Sequence, residues 1–293
     1  MTTLADRRKK FRAMLEERRA VLVPGAANSL TARVIEDQGF EACYVTGAGI
    51  ANTLLGVPDI GLVTMSEIQT TTAAIAEISS LPLFVDMDTG FGNAINTHRT
   101  VRVLERAGAC AVQIEDQVFP KKCGHFDGKA VIPAKEMATK VRAAADARED
   151  ENFLIIARTD ARAIEGIDGA LDRARMYIEA GADVTFVEAP TSVEEMTRIC
   201  AELPVPQVAN LVVGGRTPML SQEELAKIGF AIVLYANTPL QAAMRAMSEV
   251  LGALKRDGNL DAVQDRLADF VERQRLVHKS TYDAMEKHYA VED

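Results

Sequence analysis

The segment IEDQVFPKKCGH, residues 114–125, concentrates more chemically versatile side chains than any other part of this sequence. Two adjacent carboxylates, Glu115 and Asp116, end an apolar run, and residues 121–125 add two lysines, a cysteine and a histidine. Neighbouring cations favour the thiolate form of a cysteine, so Cys123 can transfer a proton near neutral pH. Carboxylates at the end of a barrel strand are ligands for a divalent cation. The segment therefore predicts an enzyme that combines acid–base chemistry with a metal ion.

The elements that must position these residues form a regular alternation. Eight short apolar runs, without polar alternation, predict strands buried on both faces. They span residues 21–24, 42–46, 83–86, 111–115, 153–158, 184–188, 207–210 and 232–235. Helical patterns occupy residues 4–19, 29–38, 66–78, 96–107, 134–147, 168–180, 193–203 and 222–228, and glycine follows several of them. Eight strand–helix units favour an α/β fold of the (β/α)₈ barrel type over a doubly wound open sheet.

Polar residues stand at the carboxyl ends of these runs. In chain order they are Thr46, Gly47, Asp86, Asp88, Glu115, Arg158, Asp160, Glu188 and Asn210. A chance distribution of charges would place as many of them at the opposite ends of the strands. Since the carboxyl ends of all barrel strands converge on one face, we expect these residues to surround one catalytic mouth.

Composition excludes several classes of protein. The formal net charge of −9 argues against a nucleic-acid partner. No apolar run approaches the roughly 20 residues needed to cross a bilayer, and the charged N-terminus lacks the apolar core of a signal peptide. The four cysteines have neither CxxC nor zinc-site spacing, which predicts free thiols. We therefore expect a cytoplasmic protein with no membrane partner.

The C-terminal part is helical beyond what the barrel needs. We take residues 1–293 as a single barrel domain, with residues 241–293 as a helical C-terminal extension. A helix that keeps apolar positions after its own barrel is covered is expected to pack on another subunit. The alternative is that the extension caps one end of the barrel.

Several motifs together resemble those of the isocitrate lyase/phosphoenolpyruvate mutase superfamily. They are VTGAG at 45–49, VDMDTGFGN at 85–93, IEDQ at 114–117, KKCGH at 121–125 and ARTDA at 157–161. KKCGH after IEDQ looks like the lyase branch, represented by 2-methylisocitrate and 2,3-dimethylmalate lyases, because phosphonate-processing branches typically carry an Asn-Ser pair at positions 123 and 124. VEAPTS at 187–192 and ANLVVGGRTP at 209–218 look closer to dimethylmalate lyase and oxaloacetate hydrolase relatives. The resemblance also implies a homotetramer with swapped C-terminal helices.

The acids Asp86, Asp88 and Glu115 predict a Mg²⁺ site, for which Mn²⁺ is a substitute. Mg²⁺ prefers octahedral oxygen ligands, keeps several waters and uses only one or two direct carboxylates. The resemblance implies that Asp88 binds the ion directly, that Asp86 and Glu115 hold its waters, and that Asp59 joins its outer shell. The alternative is that DTGFG, residues 88–92, merely forms a turn.

Cys123 is the expected proton donor in this family's chemistry. Retro-aldol cleavage of a 2-hydroxy acid leaves a carboxylate-stabilised carbanion that must be protonated at carbon. Lys121 and His125 favour the thiolate and can also bind substrate carboxylates. Arg158 offers a rigid fork of donors for the developing oxyanion. The other cysteines are expected to be buried and inert; they are Cys43, Cys110 and Cys200.

The remaining candidates are substrate contacts. The turn of Thr46, Gly47 and Ala48 offers backbone N–H groups to a carboxylate, and Tyr44 precedes it as a group for the substrate hydroxyl. Further predicted substrate-binding residues are Gly124, Glu188, Asn210, Gly215 and Thr217.

These residues favour a Mg²⁺-dependent carbon–carbon lyase acting on a small di- or tricarboxylate. It would cleave a malate- or isocitrate-type 2-hydroxy acid to pyruvate or glyoxylate and a carboxylate, through an enolate protonated by Cys123. One alternative is an oxaloacetate hydrolase or decarboxylase, and another is a carboxyphosphonoenolpyruvate or phosphonopyruvate mutase. The non-enzymatic alternative is a metabolite-binding protein with the same barrel, although its acidic residues would then have no catalytic role.

Overall fold

A barrel of eight parallel strands carries the predicted mouth. The computed structural model describes residues 3–122 and 128–291. The strands are β1 Val21–Ala26, β2 Cys43–Val45, β3 Leu83–Asp86, β4 Ala111–Glu115, β5 Leu154–Thr159, β6 Val184–Val187, β7 Val208–Asn210 and β8 Ile232–Tyr235. Each strand overlaps one predicted run, and all the pairings between neighbours are parallel. The prediction of a (β/α)₈ barrel is confirmed.

The barrel closes between β6 and β7. Strand β1 pairs with both β2 and β8, so the sheet order runs β6-β5-β4-β3-β2-β1-β8-β7. A parallel bridge between Thr185 and Gln207 joins the two ends of this order. The Thr185 hydroxyl also donates a 2.8 Å hydrogen bond to the side-chain oxygen of Gln207 inside the barrel wall. The carboxyl ends of all eight strands are thereby brought to one face.

Helices surround this barrel and extend beyond it. They are α1 Leu4–Glu16, α2 Ser29–Asp37, α3 Gly47–Ile50, α4 Met65–Ile78, α5 Ala94–Arg106, α6 Ala134–Ala147, α7 Arg162–Glu179, α8 Val193–Glu202, α9 Gln222–Ile228, α10 Thr238–Asp257, α11 Phe270–Leu276 and α12 Lys279–His288. The predicted helices agree with the observed ones except for small differences at their ends, and the start of α7 differs more. Helix α7 begins six residues before the predicted start at residue 168, because a turn of helix precedes the break at Gly166, whose φ is 77°.

Helix α1 closes the barrel at the end opposite the mouth. Its Phe11, Met14 and Leu15 pack against side chains of the barrel interior. Its Arg8 donates hydrogen bonds of 3.1 Å and 2.7 Å to carbonyl oxygens of Ala109 and Glu105, just before β4 begins. Since this end is filled by apolar side chains, small molecules are left with the carboxyl ends of the strands.

The C-terminal helices leave much of their apolar surface exposed. On α10, Met244, Met247 and Leu251 are each more than half exposed, and Ala253 is that helix's buried residue. Helix α11 meets α2 through an ion pair between Arg275 and Asp37. Helix α10 contacts β1 and α11 contacts α2, whereas α12 packs on α11, so the predicted exposed apolar face is present. No helix among the described residues is both long and apolar enough to span a membrane.

Candidate active site

A cleft opens at the carboxyl ends of the strands, and most of the predicted site residues line it. The predicted residues in its wall are Tyr44, Thr46, Ala48, Asp59, Asp86, Glu115, Lys121, Arg158 and Asn210. Cys123, Gly124 and His125 lie outside the described residues. Sequence analysis therefore identified the greater part of the described cleft wall, because barrel topology brings the strand ends together.

The turn after β3 holds two acids in a strained but well-supported backbone. Asp88 has a φ of 46°, a conformation that is uncommon for residues other than glycine. Its N–H donates a 3.1 Å hydrogen bond to Oδ1 of Asp86, and its carbonyl accepts a 2.9 Å bond from the N–H of Glu115. The segment is therefore both a turn and a pair of acids, and these two bonds fix where the Asp88 carboxylate points.

Arg158 sits in a cage of carboxylates at the end of β5. Its Nε and Nη2 donate bonds of 2.9 Å and 3.1 Å to Asp160. Its nitrogens also lie 3.4 Å from Glu115 and 3.5 Å from Glu188, and its guanidinium stacks 5.1 Å from the ring centre of Phe186. These carboxylates raise the pKa of Arg158 further above its usual value, against the opposing effect of burial. A fixed, permanent cation therefore faces the cleft.

Lys121 reaches from the β4–α6 connection into the acidic side of the cleft. Its side chain is 5% exposed and forms an ion pair with Asp59, and its ammonium lies 3.1 Å from Oδ1 of Asp88. Burial alone would lower the pKa of Lys121, but the carboxylates of Asp88 and Glu115, among others, raise it well above its usual value. The ammonium is therefore charged and neutralises part of the acid cluster.

Burial raises the pKa of the acids that face Lys121. Burial, reinforced by the carboxylates of Asp86 and Asp59 and opposed by Lys121, raises the pKa of Asp88 to about 7. Burial likewise raises the pKa of Glu115 well above its usual value, although Arg158 opposes the shift. Two carboxylates held in this way gain strongly from an additional cation.

The donor set fits a hard divalent cation. Among the described residues, Oε1 of Glu115 is buried and accepts no hydrogen bond, and the partner of the buried Oδ1 of Asp88 is the Lys121 ammonium at 3.1 Å. A side chain at Gly47 would intrude on the acids, since its Cβ would lie 3.1 Å from Oδ2 of Asp86 and 3.4 Å from Oδ1 of Asp88. In residues 3–122 and 128–291, no three His, Cys, Asp or Glu side chains stand close enough to hold a metal. Mg²⁺, which keeps waters between itself and most acids, suits this spacing.

The predicted turn after β2 is instead the start of a helix. Residues Gly47–Ile50 form α3, and a π-helical turn, Ala51–Leu55, continues it. Thr46 caps α3 by accepting a 3.1 Å bond from the N–H of Gly49, and its hydroxyl lies 3.3 Å from Oδ1 of Asn237. The small residues GAGI resemble a turn in sequence, and the expectation of a turn was wrong for that reason.

One of the predicted substrate contacts, Glu188, lies behind the cleft surface. Glu188 is 1% exposed and is held between Arg158 and the amide nitrogen of Asn210, which lies 3.4 Å from both of its carboxylate oxygens. Among the described residues, Asn210 lines the cleft whereas Glu188 does not. Glu188 therefore orients two groups that line the cleft, and its direct contact with substrate stays a prediction.

The loop after β7 contributes a residue different from those predicted. Val212 lines the cleft, whereas Gly215 and Thr217 are absent from the described part of its wall. Gly215 donates a 2.8 Å bond to the carbonyl of Val212 and so turns the loop, and Thr217 is buried with its hydroxyl unpartnered. A contact of Gly215 or Thr217 with substrate therefore stays a prediction.

The apolar part of the cleft wall was not predicted from the sequence. It consists of Phe186, Val212, Leu234 and Ala236, which come from β6, β8 and the segments after β7 and β8, whereas Asp86 and Glu115 come from β3 and β4. Asn237, directly after this group, also lines the cleft. The apolar residues gave no chemical cue, but a polar Asn two positions after the eighth strand could have been found by the same rule as Asn210.

The remaining cysteines behave as predicted. Cys43, Cys110 and Cys200 are buried free thiols. Burial raises the pKa of Cys43 and Cys200 to about 12 and that of Cys110 to about 11. A neutral buried thiol is a poor nucleophile, so these three cysteines are structural.

Asp116, the second acid of the IEDQ motif, turns away from the cleft. Its Oδ2 accepts hydrogen bonds of 2.7 Å from Thr159 and 2.8 Å from the Tyr177 hydroxyl, and its Oδ1 accepts a 2.9 Å bond from the N–H of Asp160. Arg173 lies 3.4 Å from the same carboxylate. Of the two adjacent carboxylates, Glu115 therefore faces the cleft and Asp116 does not, because successive residues at a strand end face opposite sides.

Replacing Tyr177 with phenylalanine is expected to destabilise the protein by about 1–2 kcal/mol, because a buried carboxylate loses one of its donors. Urea unfolding followed by circular dichroism measures this change. Tyr289→Phe, at a tyrosine that is 74% exposed, is the matched control. Equal stability of the two variants would contradict a stabilising role for the Asp116 network.

The sequence matches the phosphoenolpyruvate phosphomutase family over residues 11–255. It is 44% identical to 2,3-dimethylmalate lyase of Eubacterium barkeri over 96% of this chain and 97% of that protein. It is 43% identical to 2-methylisocitrate lyase of Aeropyrum pernix over 93% of this chain and 88% of that protein. Both relatives therefore align with almost the whole chain.

Solved structures give the same picture. A crystal structure of 2,3-dimethylmalate lyase superposes with a TM-score of 0.91 at 34% identity, covering 98% of this chain and 96% of that one. Oxaloacetate acetylhydrolase with 3,3-difluorooxalacetate gives 0.88 at 33% identity, covering 95% and 94%. Phosphonopyruvate hydrolase in complex with oxalate and Mg²⁺ gives 0.86 at 32% identity, covering 97% and 99%.

Proposed function

Since the chain belongs to the phosphoenolpyruvate phosphomutase/isocitrate lyase superfamily, we propose that it is a Mg²⁺-dependent carbon–carbon lyase. Its substrate is an alkyl-substituted malate of the 2,3-dimethylmalate class, which it cleaves to pyruvate and a simple carboxylate. The observation that carries this proposal is a cleft whose wall combines acids, Lys121 and Arg158 with the apolar side chains of Phe186, Val212 and Leu234.

The polar side accounts for binding of the substrate's oxygen atoms. Asp88, Asp86, Glu115 and Asp59 would hold Mg²⁺ with its waters, and the bound ion would supply Lewis-acid polarisation of substrate oxygens. Arg158 binds the carboxylate and the oxyanion that develops on the oxo-acid half. The presence of Mg²⁺ with oxalate in the phosphonopyruvate hydrolase structure supports the choice of ion.

The proposed reaction breaks one carbon–carbon bond. The substrate hydroxyl loses its proton and becomes the carbonyl of pyruvate, while the bonding electrons pass to the carbon beside the other carboxylate. Cys123 gives its proton to that carbon, which completes the second product. Burial, together with the Asp86 carboxylate, raises the pKa of Tyr44 well above its usual value, so its phenol remains a neutral hydrogen-bond donor in the cleft.

The apolar side favours an alkyl substituent over a third carboxylate. Phe186, Val212 and Leu234 offer no charge or hydrogen bond to an additional carboxylate, and leaving that group unpaired in a cleft is costly. A methyl group placed there gains about 1–3 kcal/mol relative to water. Dimethylmalate is therefore a better match for this wall than methylisocitrate, whose extra carboxylate gains no contact from it.

A substrate panel tests the proposal directly. The purified protein is incubated with 2,3-dimethylmalate, 2-methylisocitrate, isocitrate or oxaloacetate, with Mg²⁺ or with EDTA, and oxo-acid release is followed. We expect Mg²⁺-dependent release of pyruvate, with kcat/KM for dimethylmalate about tenfold or more above that for methylisocitrate. Release from none of the three hydroxy acids would reject the lyase proposal.

The second candidate function is hydrolysis of oxaloacetate, favoured by the structural likeness to oxaloacetate acetylhydrolase. Cys123→Ser separates the two. We expect this change to lower dimethylmalate cleavage by at least about 10²-fold, because the carbanion loses its proton donor. Cys200→Ser, at a buried thiol outside the cleft, is the control. Unchanged cleavage by Cys123→Ser would remove Cys123 from the mechanism.

We further propose that the protein is a cytoplasmic homotetramer. The exposed apolar positions of α10, such as Met247 and Leu251, pack on a neighbouring barrel in this arrangement. The division into one barrel domain and a helical extension from residue 241 onward stays a prediction.

A further inference from the structure

A buried ion pair ties the β4–α6 connection to the barrel mouth. We call residues 128–132, which lead from this connection into α6, the return arm. Within it, the Lys129 ammonium lies 2.8 Å from Oδ1 of Asp160, and the two side chains are 4% and 0% exposed. The neighbours Gly128 and Ala130 are exposed, so the Lys129 side chain reaches inward from a surface segment. Burying an ammonium and a carboxylate is costly unless they are well paired.

Asp160 serves two cations at once. Oδ1 of Asp160 accepts from Lys129 and also from Nη2 of Arg158 at 3.1 Å, while Oδ2 accepts from Nε of Arg158 at 2.9 Å. Its backbone N–H is held at 2.9 Å by Asp116. One carboxylate therefore connects the return arm to the arginine that faces the cleft, although Lys129 itself does not line that cleft in the described residues.

The base of the return arm is anchored independently of Lys129. The Ile132 N–H donates to the carbonyl of Asp116 at 2.9 Å, Arg173 donates to the Ile132 carbonyl at 2.9 Å, and the Val118 N–H donates to the Ala130 carbonyl at 2.8 Å. These contacts fix where the arm joins α6. The Lys129–Asp160 pair is a further contact, directed toward the cleft, that is not needed to anchor the arm.

We propose that Lys129 is a positioning residue for Arg158, acting through Asp160. The Lys129 ammonium shares the Asp160 carboxylate with Arg158 and so limits how far Asp160 draws the guanidinium away from the cleft. It also keeps the return arm against the barrel mouth. The kinetic part of this proposal rests on the proposed lyase function, whereas the contact between the arm and the barrel does not.

The test uses Lys129→Met, which keeps the length of the side chain and removes its charge, and Lys129→Arg, which restores the charge. Lys135→Met, at an exposed lysine at the start of α6, is the matched control. We expect Lys129→Met to lower kcat for dimethylmalate cleavage by about 10- to 100-fold with KM changed by less than about threefold, since a misdirected Arg158 loses transition-state contacts. Lys129→Arg should recover most of the loss.

Two further measurements separate positioning from a general loss of structure. Hydrogen exchange of the peptide covering residues 128–136 should become about tenfold faster in Lys129→Met, with little change elsewhere in the barrel. In an Asp160→Asn background, Lys129→Met should lower kcat by less than about threefold more, because both changes break the same connection.

The outcomes are distinguishable. An unchanged kcat in Lys129→Met would overturn the role of Lys129 in positioning Arg158. The same holds if the fold-loss of kcat in the double variant equals the product of the fold-losses in Lys129→Met and Asp160→Asn. Unchanged exchange of residues 128–136 would overturn its hold on the return arm. If the wild-type protein cleaves none of the hydroxy acids, the proposed function fails, and the exchange measurement still decides whether the ion pair holds the arm.

Discussion

Arg158→Met is expected to lower kcat for oxo-acid release by about 10³-fold. A single oxyanion donor is worth about 10²–10³ in rate, and Arg158 supplies several donors from one rigid group. Methionine keeps the apolar contact with Phe186 but removes the cation, so Glu115, Asp160 and Glu188 face one another without it. Steady-state kinetics with saturating Mg²⁺ measures the effect.

The same change should also reduce stability. Removing one partner of a buried ion pair typically costs about 3–5 kcal/mol, whereas exposed pairs contribute about 0–1 kcal/mol. Arg198→Met is the control, because Arg198 pairs with Asp168 and Glu202 at the surface. If Arg158→Met kept near-normal kcat while remaining folded, the assignment of Arg158 to the oxyanion would be wrong.

Asp88→Asn is expected to weaken Mg²⁺ binding by about 10²-fold or more and to lower activity by about 10³-fold. An amide is a neutral and weaker ligand than a carboxylate for a hard divalent cation. Calorimetric titration of the EDTA-treated protein with Mg²⁺ reads the affinity without depending on turnover. Asp172→Asn, at a carboxylate with a 77% exposed side chain, is the control.

In the metal-free protein, Asp88→Asn should raise stability at neutral pH. Burial raises the pKa of Asp88 to about 7, so the folded state binds this proton more tightly than the unfolded state, where the ordinary value is 3.8. The wild type therefore loses stability as pH rises from about 4 to about 7, and the variant avoids that loss. Urea unfolding at pH 5 and pH 8, in EDTA, measures the difference.

A wild-type protein with the same stability difference between these pH values as Asp88→Asn would contradict the raised pKa. Equal Mg²⁺ affinity of the two proteins would instead remove Asp88 from the metal site. The expected variant is therefore more stable than the wild type but binds Mg²⁺ more weakly. This combination is typical of functional residues whose charge is unfavourable for folding.

The barrel and most of the groups at its mouth were predictable from the sequence. Apolar runs recur eight times, and barrel topology brings the polar residue at the end of such a run close to the mouth, although Glu188 shows that this residue need not line the cleft. Asp86, Glu115, Arg158 and Asn210 were found by this rule. Sequence patterns did not distinguish a turn from the helix α3, since small residues such as Gly47 are compatible with both.

The three-dimensional packing was needed to establish which neighbour of a pair faces the cleft and which ion pairs form. Glu115 points inward whereas Asp116 points to Tyr177, although the two are adjacent in sequence. The apolar wall and the Lys129–Asp160 pair join residues from distant segments. Such contacts depend on distances across the barrel and on competition among buried charges, and neither is encoded in local periodicity or spacing.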